Sequence, residues 1–81
     1  MRLPRDLSGA DLAAALGKLG YRITRQTGSH LRLTTTEHGE HHLTIPNHAH
    51  LRVGTLAGIL ADLAAHFRLT REELIERLFG R

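Results

Sequence analysis

Seven histidines and no cysteine in 81 residues make imidazole the principal reactive group of this chain. Its unperturbed pKa of about 6.5 lets it accept and return a proton near neutral pH. His30 has the most suggestive setting, because it follows the turn-forming pair Gly28-Ser29. Backbone N–H groups exposed in a tight turn can hold a phosphate while an adjacent imidazole transfers a proton at it. The chemistry this suggests is general acid or base catalysis at a phosphate ester. On the residues alone, a solvated strand histidine without chemistry remains an open alternative.

The other histidines invite a metal reading that their spacing opposes. Neutral imidazole is a common zinc ligand, yet His41 and His42 are strand neighbours that face opposite ways, and no HExxH pattern occurs. His38, His48 and His50 read as tolerated polar side chains, and His66 as a cation favoured by a helix C-terminus. Carboxylates lie on or near helices (Asp6, Asp11, Asp62, Glu72, Glu73, Glu76) or flank a turn (Glu37, Glu40), so no pair converges for two-metal chemistry. Ser29 reads as a turn former rather than a nucleophile, since adjacent strand residues diverge and no third orienting group is evident. We expect no metal and no cofactor. Absence of cysteine also excludes disulfides and thiolate zinc sites.

These residues need a scaffold, and the chain is long enough for one small domain spanning residues 1–81. Ser8 and Asp11 form a capping box ahead of a helix running to about Leu19, with Leu12, Leu16 and Leu19 on one stripe and Gly20 closing it. From Tyr21 to Ile45 the apolar period falls to 2, and breaks at Thr27-Gly28-Ser29 and Glu37-His38-Gly39 divide the stretch into three short strands. Tyr21, Ile23, Leu31, Leu33, Leu43 and Ile45 should share a buried face, which pairs Ile23 with Leu33 and Leu33 with Leu43. The same register sets Gln26 opposite His30. The other face would carry Arg22, Thr24, Gln26, His30, Arg32, Thr34, His42 and Thr44, all donors or cations. A second helix is expected from about Leu56 to Phe67, with Gly54-Thr55 ahead of it. A third, capped by Thr70 and Glu73, buries Leu74, Ile75 and Leu78 and stops near Gly80. The expected fold class is α+β, a three-stranded antiparallel sheet with helices on one face and a short additional C-terminal helix.

The formal charge is +3, and all but one of the 11 basic residues are arginine, Lys18 being the exception. Arginine suits phosphate contacts, but a GC-rich genome produces the same bias, so charge alone names no ligand. No apolar run approaches a membrane span, and Met1 to Asp6 lack a signal-peptide core. A cytoplasmic protein without membrane contact is the expectation.

Three runs, Arg25-Gln26-Thr27-Gly28-Ser29-His30, Ile45-Pro46-Asn47-His48 and Gly54-Thr55-Leu56-Ala57-Gly58-Ile59-Leu60, occur in this order. Together they resemble the HicA family of toxins from bacterial and archaeal toxin–antitoxin pairs, over about Ser8 to Leu74. The resemblance implies a double-stranded-RNA-binding-like fold, mRNA cleavage independent of the ribosome, and neutralisation by a cognate HicB-type antitoxin. It assigns His30 as the catalytic residue. Thr27 stands where the family commonly has lysine and Tyr21 where it commonly has tryptophan, and the chain continues past the usual end with Glu72 to Arg81.

The mechanism that follows is metal-independent: the RNA 2′-hydroxyl is the nucleophile, His30 the general base or acid, and the Gly28 and Ser29 backbone the phosphate cradle. Arg25, Gln26 and Arg32 are expected to contact phosphate or sugar, with His48 as a candidate complementary acid. With so few aromatic residues, broad sequence specificity is expected, as is a monomeric free toxin. The competing class is a non-catalytic RNA-binding module using the same sheet face. A protein-interaction domain recruiting a strand at the sheet edge is a third.

Overall fold

The computed structural model describes residues 6–80; the N-terminal stretch Met1 to Arg5 and Arg81 lie outside them. Ser8 caps the first helix as its spacing with Asp11 dictates. Its hydroxyl accepts from the Asp11 N–H at 2.9 Å, while the Asp11 carboxylate accepts from the Ser8 N–H at 3.3 Å. This helix, α1 (Gly9–Leu16), passes into a 3-10 turn over Gly17–Leu19. It ends at Gly20 with φ 81°, where any Cβ would also press on Glu37 and Thr35.

Three strands follow, β1 (Arg22–Gln26), β2 (His30–Thr35) and β3 (His41–Pro46), in the spatial order β1-β2-β3, all antiparallel. Proline is tolerated at Pro46 because it ends an edge strand. Helix α2 (Val53–Phe67) starts three residues ahead of Leu56, where the apolar spacing begins, and so includes Gly54 and Thr55. Its last residue is the expected Phe67, with Arg68 in the left-handed region at φ 55°. Helix α3 (Arg71–Phe79) carries the second capping box, closed by Thr70 and Glu73.

One contiguous core joins the helices to one face of the sheet. Leu12 and Leu16 from α1, Leu33 and Ile45 from the sheet, Leu63 from α2 and Leu74 from α3 have no exposed surface. Burial of each such side chain contributes about 1.5–3 kcal/mol. The C-terminal extension belongs to this core through Leu74 and Leu78, and its Ile75 is buried as well. Lys18, the sole lysine, donates to the Leu78 carbonyl at 2.9 Å and so ties the end of α3 to the turn after α1.

The register joins Ile23 to Leu33 and Leu33 to Leu43 as the shared apolar face required. Two expectations for β1 fail, for one reason. A bulge at Thr24 shifts the pairing, so Arg25 stands opposite Arg32 and Gln26 opposite Leu31, not opposite His30. Arg25 therefore shares the outer polar face with Arg32, whereas Gln26 turns to the helix side. Ile23 is the second exception, being 50% exposed and not buried. It lies on an edge strand opposite a stretch of α1 that offers only Ala10, Ala13 and Ala14, side chains too short to cover it.

Candidate functional site

His30 opens β2 directly after the turn Gly28-Ser29, and two backbone contacts fix its position. The Thr27 N–H donates to the His30 carbonyl at 2.9 Å, and the His30 N–H donates to the Thr27 hydroxyl at 3.1 Å. Thr27, which replaces a common lysine, thus acts as the clasp of the turn. A second anchor reaches it from the residue just past β3: the Asn47 N–H donates to the Ser29 carbonyl at 2.8 Å. His30 pairs with Pro46, so the segment carrying Asn47 and His48 runs beside it. That segment is itself held to α1, where Gly9 N–H donates to the His48 carbonyl at 2.9 Å. A Cβ on Gly9 would collide with the Pro46 carbonyl, so this close approach requires glycine.

The His30 ring is exposed, and its Nδ1 lies 3.0 Å from the Ser29 hydroxyl. The divergence expected of strand neighbours does not hold for this pair, because Ser29 belongs to the turn and not to the strand. Ser29 consequently serves to orient the ring. When its hydroxyl donates to Nδ1, the neutral ring carries its proton on Nε2; when Nδ1–H donates to the hydroxyl, Nε2 is free to accept a proton, and the imidazolium so formed can return it. A Cβ added at Gly28 would meet nothing within 4 Å, and Gly28 is not at positive φ. Neither space nor positive φ within the fold demands glycine there, and the backbone of this turn stands open to close approach.

Arg22, Arg25 and Arg32 lie on the outer face that His30 shares. Across that face runs a hydrogen-bonded row: Glu40 carboxylate accepts from His42 Nε2 at 2.8 Å, His42 Nδ1 meets the Thr34 hydroxyl at 2.8 Å, and Thr34 meets Thr24 at 3.1 Å. Glu40 therefore reaches a surface whose strand residues include no acid, but at the end remote from His30. His48 is exposed two residues past the Pro46 partner of His30. Gln26 stands apart from the cationic face, as the bulge dictates.

A second histidine cluster, missed in the sequence, occupies the opposite end of the sheet. His41 Nε2 faces the Asp62 carboxylate at 3.2 Å, so this nitrogen carries the proton in the neutral ring. Nδ1 then accepts from the Tyr21 hydroxyl at 2.6 Å. Burial, with a smaller contribution from Asp62, pushes the Tyr21 phenol up to about 12. His66 stacks on His41 with ring centroids 4.3 Å apart and donates from Nε2 to the Glu37 carbonyl at 2.9 Å. His66 lies in the last turn of α2 as expected, and that bond makes it a tether for the β2–β3 turn as well. His38 packs edge-on against Phe67 in the same cluster. No single stretch of sequence signals this arrangement, since Tyr21, His41 and Asp62 meet only in space.

Fold and site together define a small α+β domain presenting one exposed, serine-oriented histidine at a glycine turn beside a cationic sheet face. The family model described as the HicA toxin of bacterial toxin-antitoxin matches residues 9–64, more than half of the chain, and the chain belongs to that family. It is accordingly a toxin-type protein of a toxin–antitoxin pair, with an antitoxin as its counterpart. The match stops short of α3, which begins at Arg71. Searches of curated proteins and of solved structures each found no match. Among the described residues, no helix is long and apolar enough to cross a membrane.

Proposed function

We propose that this toxin is an endoribonuclease that cleaves mRNA with His30 as its general acid or base. The observation that carries the reading is the exposed imidazole of His30, oriented by Ser29 at 3.0 Å beside a glycine that the fold itself does not require. RNA supplies its own nucleophile in the 2′-hydroxyl. His30 removes that proton as the oxygen attacks phosphorus, or protonates the departing 5′-oxygen, and no further catalytic group is obligatory. Backbone N–H groups of Gly28 and Ser29 face the developing charge on the phosphorane oxygens. Arg25 and Arg32, paired across β1 and β2, bind flanking phosphates. His48 is the complementary acid or base. The antitoxin silences the enzyme most simply by covering the His30 turn, in the cytoplasm where toxin and mRNA meet, and the free toxin acts as a monomer.

Purified protein incubated with a long single-stranded RNA in EDTA tests this reading. Wild type should cleave, and His30→Ala should be slower by about 10²–10⁴-fold while retaining the same melting temperature. Equal cleavage by both proteins removes His30 from the mechanism. Salt-sensitive binding without cleavage by wild type would instead make the domain a non-catalytic RNA binder.

A further inference from the structure

The bulge at Thr24 has a chemical result on the helix side of β1. Gln26 and Ile23 face a groove of about 320 Å³, whose other wall is Ala10, Ala13 and Ala14 of α1. Leu31 floors it, and Asn47 closes the end nearest the His30 turn. Both amide side chains, Gln26 and Asn47, are exposed. The groove borders the candidate catalytic turn across the sheet edge, because the Asn47 N–H is bonded to the Ser29 carbonyl and Gln26 stands two residues before Gly28.

We infer that this groove receives one unpaired nucleobase adjacent to the phosphodiester held at His30, with the Gln26 and Asn47 amides reading its edge. This inference rests on the ribonuclease reading given above. Sequence-selective recognition of single-stranded RNA works by splaying a base out of the stack and hydrogen-bonding its edge. A side-chain amide offers a donor and an acceptor side by side, the pattern that base edges present in return. Alanine walls and the half-exposed Ile23 supply a flat apolar slot in place of the aromatic platform that the chain lacks. Selectivity replaces the broad specificity that the scarcity of aromatic residues suggests. A protein segment would meet the same walls and amides; the Arg25 guanidinium beside Gln26 and the His30 turn at the same end of the sheet favour a base. The cationic outer face of β1, with Arg25 one residue before Gln26, guides the phosphate backbone around the same sheet edge.

Ala14→Phe fills the groove from an exposed helical position, and Gln26→Leu removes the amide at nearly constant volume. Both variants are first compared with wild type by circular dichroism and thermal melting. Single-turnover cleavage is then measured on RNA oligonucleotides that differ only in the bases flanking the cut. Each variant should lose roughly tenfold on the preferred base and cleave all four sequences at similar rates. In the His30→Ala background, a 2-aminopurine at the flanking position should change fluorescence on binding, and Ala14→Phe should abolish the change. Unaltered rates and base preference in both variants would overturn the inference and leave the ribonuclease reading standing. Unaltered cleavage with lost binding of the cognate antitoxin would assign the groove to a protein partner and overturn it equally. If wild type cleaves no RNA, the ribonuclease reading falls and this inference with it. Should Ala14→Phe fail to fold, Gln26→Leu alone decides the outcome.

Discussion

The two ends of the sheet carry histidines of opposite character. At the Gly28-Ser29 end, His30 is exposed and bonded through one nitrogen to a neighbouring serine. At the other, His41 has both nitrogens engaged, stacks on His66, and stands over a buried tyrosine. A ring with saturated partners has no lone pair or proton to offer a substrate, and its removal leaves a buried hydroxyl unpaired. A ring held by one side and open on the other can exchange protons with what binds it. Counting histidines therefore misleads, and partner saturation is what distinguishes the two rings.

Exchanging the effects of the two ends would break this comparison. The largest difference expected is in catalysis: His30→Ala lowers RNA cleavage by about 10²–10⁴-fold with an unchanged thermal midpoint. Gly28→Ala comes next, because a Cβ there meets nothing in the free protein but would stand between the backbone and a phosphate. It should melt with wild type and cleave at least tenfold more slowly, about the loss for one removed oxyanion contact or less; equal cleavage would remove the cradle. His41→Ala should do the reverse, costing about 1–3 kcal/mol of stability by urea denaturation while the folded protein keeps its activity. A comparable loss is expected for Thr35→Val, since the Thr35 hydroxyl, fully buried, donates to the Leu19 carbonyl at 2.9 Å and accepts from the Glu37 N–H at 3.1 Å. Its activity, too, should survive.

The smallest effect is spectroscopic and sharpens the structural end. Tyr21, the sole tyrosine, should titrate near 12 in the folded protein, against 10.0 for a free phenol. The raised value means that the fold favours the neutral phenol. Its contribution to stability is full below the unfolded value and disappears as pH rises through about 12. Absorbance at the phenolate band, followed alongside circular dichroism, measures both. A phenol titrating at its free value would place Tyr21 outside the cluster.

Local rules reached much of this molecule. Capping boxes at Ser8 and Thr70 need only a hydroxyl and a carboxylate three residues apart, so both helix starts were legible. Alternation in Leu31, Leu33, Leu43 and Ile45 forced one register on β2 and β3. His30 drew attention through its glycine turn, but whether it pointed anywhere useful was not legible. The start of α2 was not legible either, because Val53 is 84% exposed and contributes nothing to the apolar stripe from which a helix is recognised.

By itself, then, the sequence determined the order of elements, their polarity, and the candidate histidine, all of which depend on residues within a few positions of one another. Tertiary structure alone decided that Thr24 bulges, which exchanges Arg25 and Gln26 between the faces of β1 and opens the groove beside α1. It also decided that Tyr21, His41, Asp62 and His66 converge. A period of 2 assumes an unbroken pleat, and one extra residue in an edge strand reverses every side chain beyond it. Contacts between residues tens of positions apart depend on how sheet and helices pack, and no local pattern encodes that.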